Sequence, residues 1–291
     1  MCRLFGLSGA PHRVRATFWL LDAEDSLAVQ SRREPDGTGL GYYDVDGSPR
    51  VDKQPVAAYE DAAFAREARE VASTTFLAHI RYASTGSVVT KNTHPFVHHG
   101  RIFAHNGVIG DLDRLEAELG EYRSLVAGDT DSERFFALVT KNIDESDGNV
   151  TAGIAAATRW VAENLPVYAL NLILTTRAEL WALRYPDTHD LLMLQRGPGG
   201  PHGGRHLEHA SAAGTVRVRC ADLAEHPAVV IASERMDEDP GWRALQPGEL
   251  LHVHPDLTTS STFVHDRPPT RRLTLTDLDS RAAASQTAPG R

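Results

Sequence analysis

The chain has 291 residues, with 30 basic and 39 acidic side chains that give a formal net charge of −9 at neutral pH. Hydrophobic residues make up 41% of the chain and charged residues 24%, which is ordinary for a folded protein and argues against disorder throughout. An acidic chain is a poor match for nucleic acid, whose binding depends on Lys and Arg contacts to phosphate, and for an anionic membrane.

The sequence also lacks the features of membrane and secreted proteins. No apolar run approaches the roughly 18 residues of a membrane helix, and the first residues contain no signal-peptide core. The two cysteines, Cys2 and Cys220, cannot form a disulfide framework. We therefore expect a cytoplasmic protein with free thiols and no membrane partner.

Short apolar segments predict strands and helices along the chain. Amphipathic spacing, or Ala mixed with charge, predicts helices at residues 61–71, 111–119, 130–142 and 151–164. Apolar or β-rich runs predict strands at residues 37–43, 75–80, 101–104, 168–175, 180–183, 228–233 and 250–254. Residues 14–21 fit either a buried strand or a helix. Many short strands without a β-α-β rhythm indicate sheets covered by helices and argue against a doubly wound fold.

The composition predicts one domain over residues 1–267. Within it, the Gly- and Pro-rich stretch GPGGPHGG at residues 197–204 predicts a mobile loop over residues 196–212. The polar sequence after Pro268 predicts a disordered tail over residues 268–291.

Cys2 is notable for its position. An initiator methionine is normally trimmed before a small side chain, and trimming would place the thiol and a free α-amine on one residue. The α-amine has a pKa of about 8, so at neutral pH it can act as the base for its own thiol. The alternative reading is a small buried hydrophobe that happens to lie near the terminus.

Five motifs follow Cys2: PDGTG (35–39), HIRYASTG (79–86), NTHPF (92–96), FAHNGVI (103–109) and DTDSE (129–133). Together with MCRLFG at residues 1–6, they resemble the class II glutamine amidotransferases, which are N-terminal-nucleophile (Ntn) glutaminases. The resemblance covers about residues 1–180 and continues weakly to about residue 254. It is closest in type to the stand-alone members, such as the ergothioneine-pathway γ-glutamyl amidohydrolase.

Amide hydrolysis through a thiol needs a nucleophile, a base, an oxyanion hole and a substrate clamp. Asn106 and Gly107 suit the oxyanion hole, because a side-chain amide and an adjacent backbone N–H can donate to one oxygen. Arg81 offers a two-pronged fork for a carboxylate. The resemblance assigns the same oxyanion role to Asn106 and Gly107, and implies that Asp131 binds an ammonium. The alternatives are a hairpin turn at Asn106-Gly107, a surface ion pair at Arg81 and helix-start charge at Asp131.

The resemblance adds three substrate-binding candidates. Ser84 and Thr85 match positions near the substrate carboxylate, and Arg33 precedes an Asp-Gly turn as in related amidotransferases. The histidines around residues 94–105 carry no such assignment, since Pro95 disfavours a helix that would align His94 with His98 and no Cys or carboxylate completes a ligand set. We expect no metal site and no cofactor.

The resemblance implies an α+β fold, a four-layer αββα Ntn-hydrolase sandwich of two antiparallel sheets. It also implies an amidohydrolase that cleaves glutamine or another γ-glutamyl amide through a Cys2 thioester and releases glutamate. With no synthase domain visible, two alternatives remain. The chain could be a glutaminase subunit that supplies ammonia to a separate synthase, or a non-catalytic glutamine-binding module.

Overall fold

The computed structural model describes residues 2–200, 208–210, 217–219 and 221–286, and over these residues two seven-stranded sheets pack face to face. The strands are β1 (Arg3–Ser8), β2 (Gly37–Tyr43), β3 (Pro49–Gln54), β4 (Thr75–Arg81), β5 (Phe96–His98), β6 (Arg101–Ile109), β7 (Pro166–Thr175), β8 (Leu180–Leu183), β9 (Leu192–Arg196), β10 (Glu208–Ala210), β11 (Arg217–Arg219), β12 (Ala228–Ala232), β13 (Arg243–Ala244), β14 (Glu249–Val253), β15 (Thr259–Phe263) and β16 (Arg271–Arg272).

The helices are α1 (Leu27–Gln30), α2 (Ala62–Glu70), α3 (Leu112–Leu119), α4 (Asp131–Glu145), α5 (Val150–Asn164), α6 (Ala221–Glu225) and α7 (Ser280–Gln286). A π-helical turn at Phe18–Asp22 occupies the segment that fitted either a strand or a helix. None of the described helices is both long and apolar enough to cross a membrane.

The first sheet has the strand order β13-β9-β12-β1-β4-β2-β3, so β1 lies at its centre. The second sheet has the order β15-β14-β8-β7-β6-β5, and β16 runs parallel to β7 beside it. The pairs that flank β1 are antiparallel, with Leu4 opposite His79 on β4 and Phe5 opposite Ala232 on β12. The start of β1 and the end of β4 therefore lie side by side.

Three apolar clusters make the fold a four-layer sandwich. Leu4, Leu77 and Ile173 belong to the cluster between the two sheets. Helices α3, α4 and α5 bury their apolar faces against the outer face of the second sheet, and α1 and α2 cover the first sheet. Strand β7 is apolar almost throughout because both of its faces are buried. The predicted αββα sandwich is confirmed.

The C-terminal segment has more structure than its polar composition indicated. Residues 268–286 were expected to be disordered, but β16 pairs with β7, and α7 buries Ala282, Ser285 and Gln286. The Gln286 Oε1 and His189 Nε2 atoms lie 2.7 Å apart. A composition-based expectation misses such contacts because a few small and amide side chains make them. Residues 287–291 lie outside the described residues.

The segment expected to be a mobile loop, residues 196–212, is described only in part. Arg196 ends β9 and is buried, and β10 lies within the segment, where it pairs with β11. Residues 201–207 and 211–212 lie outside the described residues.

Candidate active site

Cys2 immediately precedes β1, at one end of the central strand of the first sheet. Side chains alternate along a strand, so Cys2 faces the same side as Leu4, toward the second sheet. The side chain is 8% exposed. A small cavity opens beside it and is lined by Cys2, Arg81, Tyr82, Ser84, Thr85, His94, His105, Gly107, Thr130 and Ser132.

The environment of the Cys2 thiol favours its protonated form. Burial raises the pKa of the thiol, while the hydrogen bond from the backbone N–H of Tyr82 and the charge of Arg81 act in the opposite direction. The Tyr82 nitrogen lies 3.2 Å from Sγ. A protonated thiol is a poor nucleophile, so the site needs a base within reach of Sγ.

Two imidazoles line the cavity, those of His94 and His105, and both ring nitrogens of His105 are already hydrogen-bonded. Its Nε2 lies 3.2 Å from the carbonyl oxygen of Ala169, which can only accept, so Nε2 carries the proton. Its Nδ1 then accepts from the Ser132 hydroxyl at 2.9 Å. Burial also lowers the pKa of His105. This neutral ring has no lone pair left for the thiol, whereas neither ring nitrogen of His94 has a hydrogen-bond partner among the described residues.

Asn106 and Gly107 lie inside strand β6, with Asn106 opposite Asn171 on β7, and do not form a hairpin turn. The side-chain Nδ2 of Asn106 donates to the carbonyl oxygen of Cys2 at 3.0 Å, which bridges the two sheets. At Gly107 a side chain is excluded, because a Cβ atom would lie 1.8 Å from the carbonyl oxygen of Ala169. The pair thus places one side-chain amide against the Cys2 backbone and one glycine on the wall of the cavity that holds the thiol.

Arg81 is a buried cation at the end of β4, and the acceptors of its guanidinium in the described part of the chain are neutral. It donates to the carbonyl oxygens of Ser87 at 3.0 Å and Thr85 at 2.7 Å. Arg81 is 3% exposed and makes no ion pair with a described carboxylate. The charges of Asp36 and Asp131 favour the charged form of Arg81 without forming an ion pair with it. A buried guanidinium without a direct ion pair suits an anion supplied by a ligand.

Asp131 is the matching buried anion, at the first residue of α4. Its carboxylate accepts from the Thr85 hydroxyl at 2.8 Å and from the backbone N–H groups of Ser132 and Ile109, each at 2.9 Å. It is 1% exposed and has no Lys or Arg partner among the described residues. Thr85 therefore connects the two buried charges, since its carbonyl accepts from Arg81 and its hydroxyl donates to Asp131.

Arg33 lies apart from this cavity. Its guanidinium is 3.1 Å from Glu234 and 3.3 Å from Asp25, and its side chain is 40% exposed. Glu234 also pairs with Arg3, next to the nucleophile, at 2.7 Å. The geometry connects Arg33 to Cys2 only through this chain of ion pairs, and substrate binding by Arg33 stays a prediction.

The structure adds cavity residues that the motifs did not single out. Thr130 and Ser132 flank Asp131, and the Thr130 hydroxyl caps α4 by accepting from the Glu133 N–H at 3.3 Å. His94 reaches the cavity and packs against His79, with the ring centroids 4.2 Å apart. Their positions within the DTDSE and NTHPF motifs were the signal available in the sequence.

The sequence model of the class-II glutamine amidotransferases matches residues 1–274. The chain belongs to this family. It is similar to the γ-glutamyl-hercynylcysteine sulfoxide hydrolase of Mycobacterium tuberculosis, with 27% identity over 263 residues that cover 87% of this chain and 93% of that protein. An uncharacterized protein of Methanocaldococcus jannaschii is 30% identical over 238 residues, which cover 78% of this chain and 63% of that protein.

A solved amidotransferase shows the same fold. The glutamine phosphoribosylpyrophosphate amidotransferase of B. subtilis superimposes with a TM-score of 0.62 at 18% identity, covering 92% of this chain and 50% of that one. The Ntn-hydrolase architecture implied by the motifs is thereby confirmed. This class II amidotransferase chain spans less than two thirds of the length of the archaeal relative.

Proposed function

We propose that this class II amidotransferase family member hydrolyses γ-glutamyl amides through a thioester on Cys2 and releases glutamate. The observation that carries the proposal is a pair of buried charges, of which Arg81 shares the cavity with Cys2 and Asp131 is connected to Arg81 through Thr85. Arg81 and Asp131 lack oppositely charged partners among the described residues and are joined through Thr85. A free γ-glutamyl group carries an α-carboxylate and an α-ammonium, which would supply both missing partners.

The proposed chemistry proceeds in two stages at one carbon. The α-amine of Cys2, free once Met1 is removed, takes the thiol proton, and Sγ attacks the γ-carbonyl carbon of the substrate. The resulting oxyanion accepts from Asn106 Nδ2 and the Gly107 N–H, and the amine leaves with the proton. Water then attacks the thioester by the same route, which gives glutamate and restores the thiol.

Support for the substrate class comes from the site and from one relative. The mycobacterial relative is named for hydrolysis of a γ-glutamyl compound. Arg81 and Thr85 line the cavity, and Asp131 lies behind the Thr85 hydroxyl. These groups match only the glutamyl half of such a substrate, which leaves the amine half open. The cytoplasmic location and the absence of a cofactor stay predictions from the sequence.

The test is a panel of γ-glutamyl amides, from glutamine to γ-glutamyl conjugates of larger amines, with glutamate release measured for each. We expect turnover of at least one member and none by Cys2→Ala, which serves as the blank once its unfolding temperature matches that of the wild type. A preference for glutamine would favour ammonia supply to a synthase. Binding of glutamine without glutamate release from any member would instead support the non-catalytic module.

Active protein is expected to begin at Cys2, because a residue before it would convert the basic α-amine into a non-basic amide. Intact-mass measurement of the active fraction tests this. His94 is the alternative to the α-amine as the base. It lines the cavity, and neither of its ring nitrogens has a hydrogen-bond partner among the described residues. Full activity in protein that retains Met1, together with loss of activity in His94→Gln, would contradict the α-amine mechanism.

A further inference from the structure

Three potential metal ligands meet on the second sheet, far from Cys2. One ligand atom from each of Glu179, His252 and His254 lies within 4.8 Å of the other two. The neighbouring turn at residues 176–179 receives a hydrogen bond from Thr75 at the opposite end of β4 from Arg81. The cluster therefore lies at the other end of the sandwich from the catalytic cavity.

The topology explains why these residues meet. His252 lies on β14 and His254 follows the last residue of that strand, and their rings lie side by side with the centroids 4.0 Å apart. Strand β8 pairs with β14, with Leu180 opposite Val253. Glu179 immediately precedes β8, which brings its carboxylate to the two imidazoles although it is 73 residues from His252 in sequence.

The cluster is held in place by its surroundings. The His252 ring stacks on Trp181 with the centroids 4.4 Å apart, and the Trp181 indole N–H donates to Thr151 on α5. Glu179 Oε1 lies 2.9 Å from His252 Nε2. His254 Nε2 lies 2.9 Å from the Ser260 hydroxyl on β15. All three potential ligands are only partly buried, so an ion in solvent can reach them.

We propose that Glu179, His252 and His254 bind one divalent transition-metal ion of the zinc class. Two imidazoles and one carboxylate form a ligand set that zinc accepts, with a fourth position left for water or the Ser260 hydroxyl. Bonds of about 2.0–2.2 Å would place tetrahedral ligand atoms about 3.4 Å apart, so the cluster closes by small side-chain movements. Bound metal replaces the Glu179–His252 hydrogen bond and ties the β7–β8 turn to β14.

The experiment measures metal binding in a protein that lacks competing thiols. In a Cys2→Ala, Cys220→Ala background, Zn²⁺ is titrated by calorimetry, and Co²⁺ is added as a spectroscopic probe. We expect one equivalent of Zn²⁺ to bind, and the visible Co²⁺ bands of four-coordinate nitrogen and oxygen ligation. His252→Gln and His254→Gln should each weaken Zn²⁺ binding at least tenfold.

The matched control is His226→Gln. His226 also stacks on another histidine, His12, with the ring centroids 4.0 Å apart, but that pair is not among the potential metal clusters of the described residues. Binding should be unchanged in this variant. All variants are compared with their parent for unfolding temperature in EDTA, and His254→Gln keeps the test valid if His252→Gln unfolds. No binding to the parent, or binding by His252→Gln and His254→Gln that is as tight as in the parent, would overturn the proposal.

Discussion

Replacing Asn106 by Ala is expected to lower kcat about 10²–10³-fold while KM changes little. The Nδ2 atom of Asn106 donates to the backbone oxygen of Cys2 at 3.0 Å, which holds this amide next to the residue that carries the thiol. The oxyanion is present in the transition state and absent in the bound amide, so the lost donor affects kcat selectively. Steady-state kinetics on the best substrate of the γ-glutamyl panel provide the measurement.

The control for Asn106→Ala is the asparagine directly opposite it on β7. Asn171 is equally buried, and its side-chain amide donates to the carbonyl oxygens of His189 and Asp190. Asn171→Ala should lower the unfolding temperature, with kcat per folded molecule close to wild type. If Asn106→Ala shows the same pattern, its amide only supports the Cys2 backbone and the oxyanion role is wrong.

The parts of the fold that the sequence predicted well are those with strong local patterns. Helix α4 lies where amphipathic spacing predicts it, and β8 matches its predicted limits. Strand β6 was predicted too short, because Asn106-Gly107 is a common turn sequence. In the structure this pair is held extended by its pairing with Asn171 and Leu170 on β7, a constraint that depends on residues more than 60 positions away.

In the candidate site, too, the sequence predicted which residues take part but not the contacts between distant segments. The order of the motifs identified Cys2, Arg81, Ser84, Thr85 and Gly107, which line one cavity, and Asn106, which bonds to Cys2. The sequence could not show that Thr85 bridges the two buried charges, or that Tyr82 donates to the thiol, because both are contacts between separate segments. The Glu179–His252 contact was inaccessible for the same reason.

Asp131→Asn is expected to lower kcat/KM about 30-fold or more on a γ-glutamyl amide with a free α-amine, the equivalent of about 2 kcal/mol. The physical reason is the loss of the negative charge that would pair with the ammonium in a buried site. On the N-acetylated form of the same amide, which carries no such charge, the variant should lose little. The wild-type enzyme should itself discriminate strongly against the N-acetylated compound, because that compound would leave the Asp131 carboxylate buried without a cation.

The ratio of kcat/KM for the two amides separates recognition from stability. An asparagine at position 131 cannot accept all the hydrogen bonds that Asp131 takes from Thr85, Ser132 and Ile109, so Asp131→Asn should also unfold more easily. That loss affects both substrates equally and cancels in the ratio. The matched control is Glu133→Gln, which removes another buried charge from the first turn of α4 while leaving Asp131 intact. A wild-type ratio in Asp131→Asn would mean that Asp131 does not bind the amine. A changed ratio in Glu133→Gln would mean that negative charge at the start of α4 determines the effect, whichever residue carries it.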